Sequence, residues 1–200
     1  IRDLMNMETV RVAYDFWKEN GLKALIKKSK HKIQGIDNDY DYAEWYDLTK
    51  PTEEELAAQR TAVFEYMPKL SVVIPAYKTP ERYLKEMLNS ILAQTYENWE
   101  ICIADGSPAG ESCERVLKRY AEQDRRFKYV ILGENKGISG NTNAAMDMAA
   151  GDFIVLADHD DTLPPHALYE VVKAINEHPE ADVIYSDEDK MDMDGGALFD

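Results

Sequence analysis

From residue 70 onward, short apolar runs alternate with amphipathic segments, and this pattern predicts strands separated by single helices. Apolar runs of four or five residues suit strands that are buried on both faces. They predict strands at 70–74, 100–104, 128–132, 153–157 and 182–186. Apolar positions at helical spacing predict helices at 80–92, 112–124, 138–150 and 168–175. Single helices between strands favour a parallel sheet with right-handed crossovers. The predicted fold class is therefore α/β, a mostly parallel, doubly wound, Rossmann-like sheet flanked by helices.

Residues 1–67 lack this alternation, and we predict that they form a helical N-terminal extension to a sheet domain at 68–200. Thr52 and Glu55 have the spacing of a capping box, which predicts a helix that runs to about Tyr66. A basic cluster at 27–32 suits either a solvated helix end or contact with anionic lipid or a phosphorylated partner. Peripheral membrane contact is therefore one option for this extension.

The composition excludes several classes of protein. Net charge is −15, from 23 basic and 38 acidic residues, so sequence-independent nucleic-acid binding is disfavoured. No apolar stretch approaches the roughly 18 residues of a membrane span, and no secretory signal is visible. The two cysteines, Cys102 and Cys113, do not form a disulfide framework, so we expect a reducing, cytoplasmic compartment. The chain begins at Ile1 and stops at Asp200 just after a turn-like segment, so we expect further domains of a longer polypeptide.

The most informative polar cluster is the Asp-His-Asp-Asp sequence at 158–161, directly after the fourth apolar run. Ligands bind at the carboxyl ends of strands in open α/β sheets. Asp158 and Asp160 would point the same way if this segment were extended, and His159 would face the opposite side. Paired carboxylates suit a divalent cation that also binds substrate phosphates. The alternative is a solvated acidic turn before a helix that begins near Pro164 and Pro165.

The other strand ends add polar groups to the same edge of the predicted sheet. They are the segments 75–77, 105–107, 133–141 and 187–189. Glycines in the 133–141 loop permit close backbone approach to a ligand, and the helix that follows favours anions at its start. Neither a Gly-x-Gly-x-x-Gly after the first strand nor a P-loop sequence occurs, so a dinucleotide fold and a P-loop enzyme are both disfavoured.

Five segments in order carry a resemblance to a known family: 71–77, 88–96, 100–107, 135–143 and 158–161. Together they resemble the nucleotide-binding half of family 2 glycosyltransferases, which have the GT-A fold, over about residues 69–190. The resemblance implies transfer of a sugar from a UDP- or dTDP-sugar to a saccharide or lipid-linked acceptor, usually with inversion. It also implies a role in bacterial polysaccharide, cell-wall or cell-surface glycan synthesis, at the inner face of the membrane as one option.

The resemblance also implies which residues bind the donor. The implied nucleotide-sugar ligands are Pro75, Ala76, Tyr77, Asp105, Asn135, Gly137, Asn143 and Asp158. Asp160, with Asp158, would bind Mn²⁺ or Mg²⁺ bridging the diphosphate. Many relatives carry an arginine where this chain has Thr142, so the resemblance does not carry that donor contact over to this chain.

The catalytic base is not assigned by the sequence. An inverting enzyme needs a carboxylate to deprotonate the acceptor hydroxyl, and in the family this group comes from the acceptor half, which we expect to lie beyond Asp200. The candidates within the chain are Asp187, Glu188 and Asp189, which we expect to line the sugar pocket or to form a solvated turn.

Two other functions compete. In a haloacid dehalogenase-like phosphatase, Asp158 would be the nucleophile and Asp160 the acid/base, but that motif normally lies on an early strand with further elements well downstream. A non-catalytic nucleotide-sugar-binding fragment would bind donor without turnover.

Overall fold

The computed structural model describes residues 18, 42–186, 188–191 and 198–199, and the elements below are those of the described residues. In chain order they are α1 (Tyr42–Thr49), α2 (Glu53–Arg60), β1 (Leu70–Ala76), α3 (Glu81–Leu92), β2 (Trp99–Asp105), α4 (Glu114–Gln123), β3 (Phe127–Ile131), α5 (Gly137–Met146), β4 (Phe153–Leu156), α6 (Ala167–Glu177), β5 (Lys190–Met191) and β6 (Leu198–Phe199).

The chain divides into two compact units, Thr52–Ile184 and a second unit made of Ile1–Pro51 with Tyr185–Asp200. In the second unit the structure describes helix α1 and an antiparallel pair of short strands, β5 and β6, in which Lys190 lies opposite Phe199. Most of the predicted N-terminal extension, including the basic cluster at 27–32, lies outside the described residues.

The first unit is built on a four-stranded parallel sheet with strand order β3-β2-β1-β4. The two central strands are buried along nearly their whole length, as their uninterrupted apolar sequences require. Helices α3, α4 and α6 pack with Leu70, Val72 and Ile74 on one face, while α5 packs with Val73 and Ala104 on the other. The predicted α/β class, with a parallel sheet between two layers of helices, is confirmed.

The prediction of a fifth strand at 182–186 is wrong. These residues are described and form no strand, and the side chains of Val183 and Tyr185 are 81% and 90% exposed. An apolar run becomes a strand only where a neighbouring strand accepts its hydrogen bonds. Among the described strands only β1 pairs with β4, so β4 is an edge, and its residues Ile154 and Leu156 are exposed.

Helix α2 begins as predicted but ends early. The capping box of Thr52 and Glu55 is present in both directions. The helix stops at Arg60, not near Tyr66, because the chain then turns towards α6. Phe64 packs on Tyr169, with ring centroids 5.1 Å apart, and the backbone of Tyr66 exchanges two hydrogen bonds with the Asn176 side chain. These long-range contacts outweigh local helix propensity.

A buried charged cluster joins three strands at the amino edge of the sheet. Glu100, 1% exposed, binds Lys69 and lies 3.0 Å from the ammonium of Lys128. Its carboxylate also accepts from the Ser71 hydroxyl at 2.9 Å and from the Ala150 backbone at 2.6 Å. Burial alone would raise the pKa of Glu100, but these donors outweigh it and lower the pKa to about 2.

No helix in the described part of the chain is long and apolar enough to cross a membrane.

Candidate functional site

The predicted site residues of the first unit lie at the carboxyl edge of the sheet or on the helix that leaves it. Pro75 and Ala76 end β1, and Ala76 lies in register with Asp105, the last residue of β2. Gly137 begins α5, with the exposed Asn135 before it and the exposed Asn143 within it. Asp158 and Asp160 follow β4 and are exposed. Parallel strands bring these loops to one edge, where ligands of open α/β sheets bind.

The candidate base residues belong to the other unit. Glu188 and Asp189 are exposed, and Asp187 lies outside the described residues. Their role stays a prediction.

Asp105 is fully buried and organises the loop that follows β2. One carboxylate oxygen accepts from the backbone N–H of Ser107 at 2.9 Å. The other accepts from the Ser112 hydroxyl at 2.7 Å and the backbone N–H of Cys113 at 2.8 Å. The loop from 105 to 113 is thereby folded around one side chain. Direct contact between Asp105 and a nucleoside stays a prediction, because three internal donors already bind this carboxylate.

The loop after β1 is fastened to the loop after β2. Lys78 adopts a left-handed backbone conformation, φ 50°, which is uncommon for a residue with a side chain. Its N–H donates to the Ser107 hydroxyl at 2.7 Å, and its ammonium lies 3.0 Å from Glu111. Tyr77, 38% exposed, precedes this turn and presents part of its ring to solvent. The fastening fixes the backbone beside Tyr77, where the sequence predicts nucleoside contact.

A pair of asparagines connects the loop before α5 to the end of β2. Asn141, 3% exposed, accepts from the backbone N–H of Lys136 at 3.1 Å and donates to the Asn135 side chain at 3.2 Å. The same oxygen of Asn135 accepts from the N–H of Gly137 at 2.9 Å. Gly106 lies directly against this amide, since a Cβ atom there would be 2.6 Å from Nδ2 of Asn141. The two loops therefore meet without room for a further side chain.

Asp158 and Asp160 lie in a turn rather than on an extended strand. Strand β4 ends at Leu156, and residues 159–160 form the turn. Because this segment is not extended, the alternation of side chains along a strand does not bring the two carboxylates to the same side here. The expected orientation of His159 is also wrong, because its Nδ1 lies 3.6 Å from Oδ1 of Asp160. That nitrogen is buried and has no hydrogen-bond partner.

Sequence reasoning missed the residues that support this edge. Ser107, Ser112 and Asn141 hold the loops in place. Ser107 and Asn141 sit inside motif segments without an assigned role, and Ser112 was expected only as the start of a helix. A small polar residue within a loop motif was the available signal, but its partner depends on how the loops meet.

The fold is an open parallel α/β sheet with polar loops at its carboxyl edge. Comparison with known proteins gives the family. Residues 71–194, more than half of the chain, match the family described as glycosyl transferase family 2. The chain belongs to this family. The predicted resemblance is confirmed, and the phosphatase hypothesis has no support.

Relatives and solved structures agree with this assignment. An uncharacterised protein of Sinorhizobium fredii, y4gI, is 44% identical over 66% of this chain and 14% of its own length. The O-antigen biosynthesis protein RfbC of Myxococcus xanthus is 31% identical over 78% of this chain and 12% of its own. The structure of residues 1–349 of S. aureus TarS in complex with UDP is 27% identical and has a TM-score of 0.51, covering 56% of this chain and 33% of that one. The chain thus spans about a seventh or less of the first two relatives.

Proposed function

We propose that the chain is the donor-binding part of a glycosyltransferase that moves a sugar from a UDP- or dTDP-sugar to a saccharide or lipid-linked acceptor during polysaccharide or cell-surface glycan synthesis. The observation that carries the proposal is the family match over 71–194, which includes the loops of the carboxyl edge. The O-antigen biosynthesis protein RfbC and the UDP complex of TarS are consistent with it. Because the chain spans so little of those relatives, we propose donor binding for this chain and transfer for the whole protein.

The nucleoside end of the proposed site is formed by the loops after β1 and β2 and the start of α5. Pro75, Ala76 and Tyr77 would contact the nucleoside, and Asp105 lies beneath them at the end of the neighbouring strand. Asn135, Gly137 and Asn143 would lie near the base and ribose. The fastened loops support this assignment, because a preformed surface loses little conformational entropy when a ligand binds.

The diphosphate end of the proposed site is the turn at 158–161, where Asp158 would face the ribose or the metal and Asp160 would bind the metal. Asp158 and Asp160 offer exposed carboxylate oxygens, the ligands that Mg²⁺ and Mn²⁺ prefer. No group of three ligand side chains occurs among the described residues. Two carboxylates fit a site whose remaining ligands are diphosphate oxygens and water. The residues present therefore fit a divalent cation bound together with the donor.

The chemistry that follows from this site is departure of the nucleoside diphosphate from the anomeric carbon. A bound cation would offset the charge that develops on the leaving diphosphate. The chain's own part is to hold the nucleoside at one end of the edge and the carboxylates at the other, so that the bond to be broken is oriented. Asp187, Glu188 and Asp189 belong to the other unit, and their role stays the one expected from the sequence. The base belongs to the acceptor half of the whole protein.

Binding of UDP and UDP-sugars with and without Mn²⁺, measured by isothermal titration calorimetry, tests the proposal. Affinity should rise with Mn²⁺, and Asp160→Ala should lower it by about tenfold or more, because one of two protein ligands is lost. Asp182→Ala, an exposed aspartate beyond the end of α6, is the matched control and should bind as the wild type does. Binding that needs no metal and is unaffected by Asp160→Ala would overturn the site.

A further inference from the structure

The segment 88–96 is a motif with no place in the proposed site, yet it contacts residues 163–168, which follow the turn that carries the aspartates. It comprises the end of α3 and the buried residues Gln94, Thr95 and Tyr96. Backbone and side-chain groups from this segment reach residues 163–168, which directly follow the Asp158–Asp161 turn.

Gln94 is the centre of these contacts. Its side chain is 1% exposed, and its amide nitrogen donates to the carbonyl oxygen of Pro164 at 2.8 Å and that of Leu163 at 3.4 Å. The same nitrogen donates to the Ser90 carbonyl at 3.1 Å, while the amide oxygen accepts from the N–H of Leu168 at 2.9 Å. Leu168 is the second residue of α6, so its N–H has no partner within that helix. Both ends of the amide are therefore used to hold the same loop.

Two neighbours extend the attachment. The Ser90 hydroxyl accepts from the N–H of Leu163 at 3.1 Å and donates to the Met87 carbonyl at 2.7 Å. The backbone N–H of Thr95 donates to the Pro165 carbonyl at 2.8 Å. Residues 163, 164, 165 and 168 are thus held from one side by groups of the α3 end.

The other end of the aspartate turn is fixed by the sheet. The N–H of Ala157 donates to the Val73 carbonyl at 3.2 Å, one residue past the end of β4. Only residues 158–162 lie between this bond and the first contact with Ser90 and Gln94. The carboxylates of Asp158 and Asp160 therefore sit on a short bridge whose two ends are held.

We infer that Gln94, assisted by Ser90, is a positioning residue for the metal-binding turn. The inference rests on the proposed function, because it takes Asp158 and Asp160 as the metal ligands. The amide of Gln94 bonds to the Ser90 carbonyl and to the backbone of 163–168, so it would act on the two carboxylates through that backbone. Releasing one end of the bridge lets the carboxylates sample more positions, so ordering them on metal binding costs more free energy. Metal affinity then falls although every ligand is still present.

The experiment uses the 200-residue chain and measures Mn²⁺ affinity at saturating UDP, together with hydrogen exchange of the segment 157–168. Gln94→Met keeps the side-chain length and removes every hydrogen bond of the amide. It should weaken Mn²⁺ binding about tenfold and speed hydrogen exchange at Leu163 and Leu168. A tenfold change corresponds to the net contribution of about one hydrogen bond. Gln94→Glu replaces the donor nitrogen by a carboxylate oxygen, which cannot donate to the carbonyls of Leu163 and Pro164. Hydrogen exchange at Leu163 should therefore speed up as it does in Gln94→Met.

Tyr96→Phe is the matched control. Tyr96 is in the same motif and 3% exposed, but its hydroxyl donates to the Pro68 carbonyl, before the start of β1, at 2.5 Å. It should lower the midpoint of unfolding without changing Mn²⁺ affinity by more than about twofold, since its lost bond does not reach the turn. A merely structural role for the motif predicts that both variants reduce Mn²⁺ affinity in proportion to their loss of stability.

Ser90→Ala keeps the test decisive if Gln94→Met does not fold. It removes only the acceptor for Leu163 and should weaken Mn²⁺ binding about threefold with faster exchange at that amide. Asp160→Ala separates this inference from the proposed function. If Asp160→Ala leaves Mn²⁺ binding intact, the site itself is wrong. If Asp160→Ala abolishes binding while the Gln94 and Ser90 variants bind as the wild type does, the positioning role alone is overturned.

Discussion

The Asp105 carboxylate shows how one buried residue can organise a loop at the carboxyl edge of the sheet. It has three internal donors, two of them backbone N–H groups, and no exposed surface. A buried carboxylate with all its hydrogen bonds formed contributes to stability because its loss would leave buried donors without an acceptor. The residue can still support a ligand, because the loop it folds also fastens Lys78 through Ser107.

Asp105→Asn should lower the free energy of unfolding by about 2–3 kcal/mol, because in either orientation the new amide turns its NH₂ towards a backbone N–H. Ser112→Ala removes one of the three donors and should cost about 1 kcal/mol. Urea denaturation of both variants measures the difference. UDP affinity then distinguishes the roles: if only Asp105→Asn loses affinity beyond its loss of stability, the carboxylate contacts the nucleoside directly.

At the scale of elements, the Glu100 cluster ties β1, β2 and β3 together at the edge opposite the proposed site. Lys69 precedes β1, Lys128 lies on β3, and the Ala150 backbone comes from the segment before β4. Gly151 lies close enough that a Cβ atom there would be 2.6 Å from the Lys69 carbonyl oxygen. One buried anion thus fixes the starts of neighbouring strands.

The stability of the protein should therefore depend on acid through Glu100. The pKa of Glu100 is lowered from 4.5 to about 2 in the folded protein, so its contribution is complete above the unfolded pKa and is lost as the pH falls from about 5 towards 2. Glu100→Gln should reduce the free energy of unfolding at pH 7 by about 3 kcal/mol. The gap between wild type and variant should shrink steadily below pH 5. A gap that is constant from pH 7 to pH 3 would contradict the ionised role.

At the scale of the whole molecule, residues 52–69, which precede β1, belong to the sheet unit. Arg60 donates to the carbonyls of Ala93 and Gln94 at 3.3 and 3.2 Å, and Gln59 accepts from Thr95 at 2.9 Å. Phe64 packs against the core beside Tyr169. The contacts from Arg60 and Gln59 lie at the same α3 end whose groups bond to residues 163–168.

A fragment that starts at residue 70 should be less stable than one that starts at residue 52 by about 3–5 kcal/mol, from the lost burial of one aromatic ring and several hydrogen bonds. Urea denaturation of residues 52–200 and 70–200 measures this, and the longer fragment is the control because it keeps α2. Equal stability of the two fragments would show that residues 52–69 do not support the sheet.

How much of the fold and of the candidate site follows from the sequence depends on how far apart in the chain the contacting residues lie. The strands β1 and β2 and the capping box of Thr52 rest on local patterns, and each was predictable. The segment 182–186 has a strand-like composition but no strand beside it, which sequence does not reveal. The carboxyl-edge position of Asp158 and Asp160 followed from the apolar run before them. The roles of Gln94 and Asn141 did not, because Gln94 and Pro164 are 70 residues apart in the chain.

The contact between Gly106 and Asn141 has a consequence for how relatives of this chain can diverge. A side chain at 106 collides with an amide that is itself held by Asn135 and Lys136, so neither position can change freely. Substitutions at these two positions should be tolerated in pairs. Gly106→Ala alone should be strongly destabilising, and Gly106→Ala with Asn141→Ala should recover part of the loss in a double-mutant cycle. In aligned relatives, any residue larger than glycine at position 106 should occur together with a small residue at position 141, so the two positions should covary.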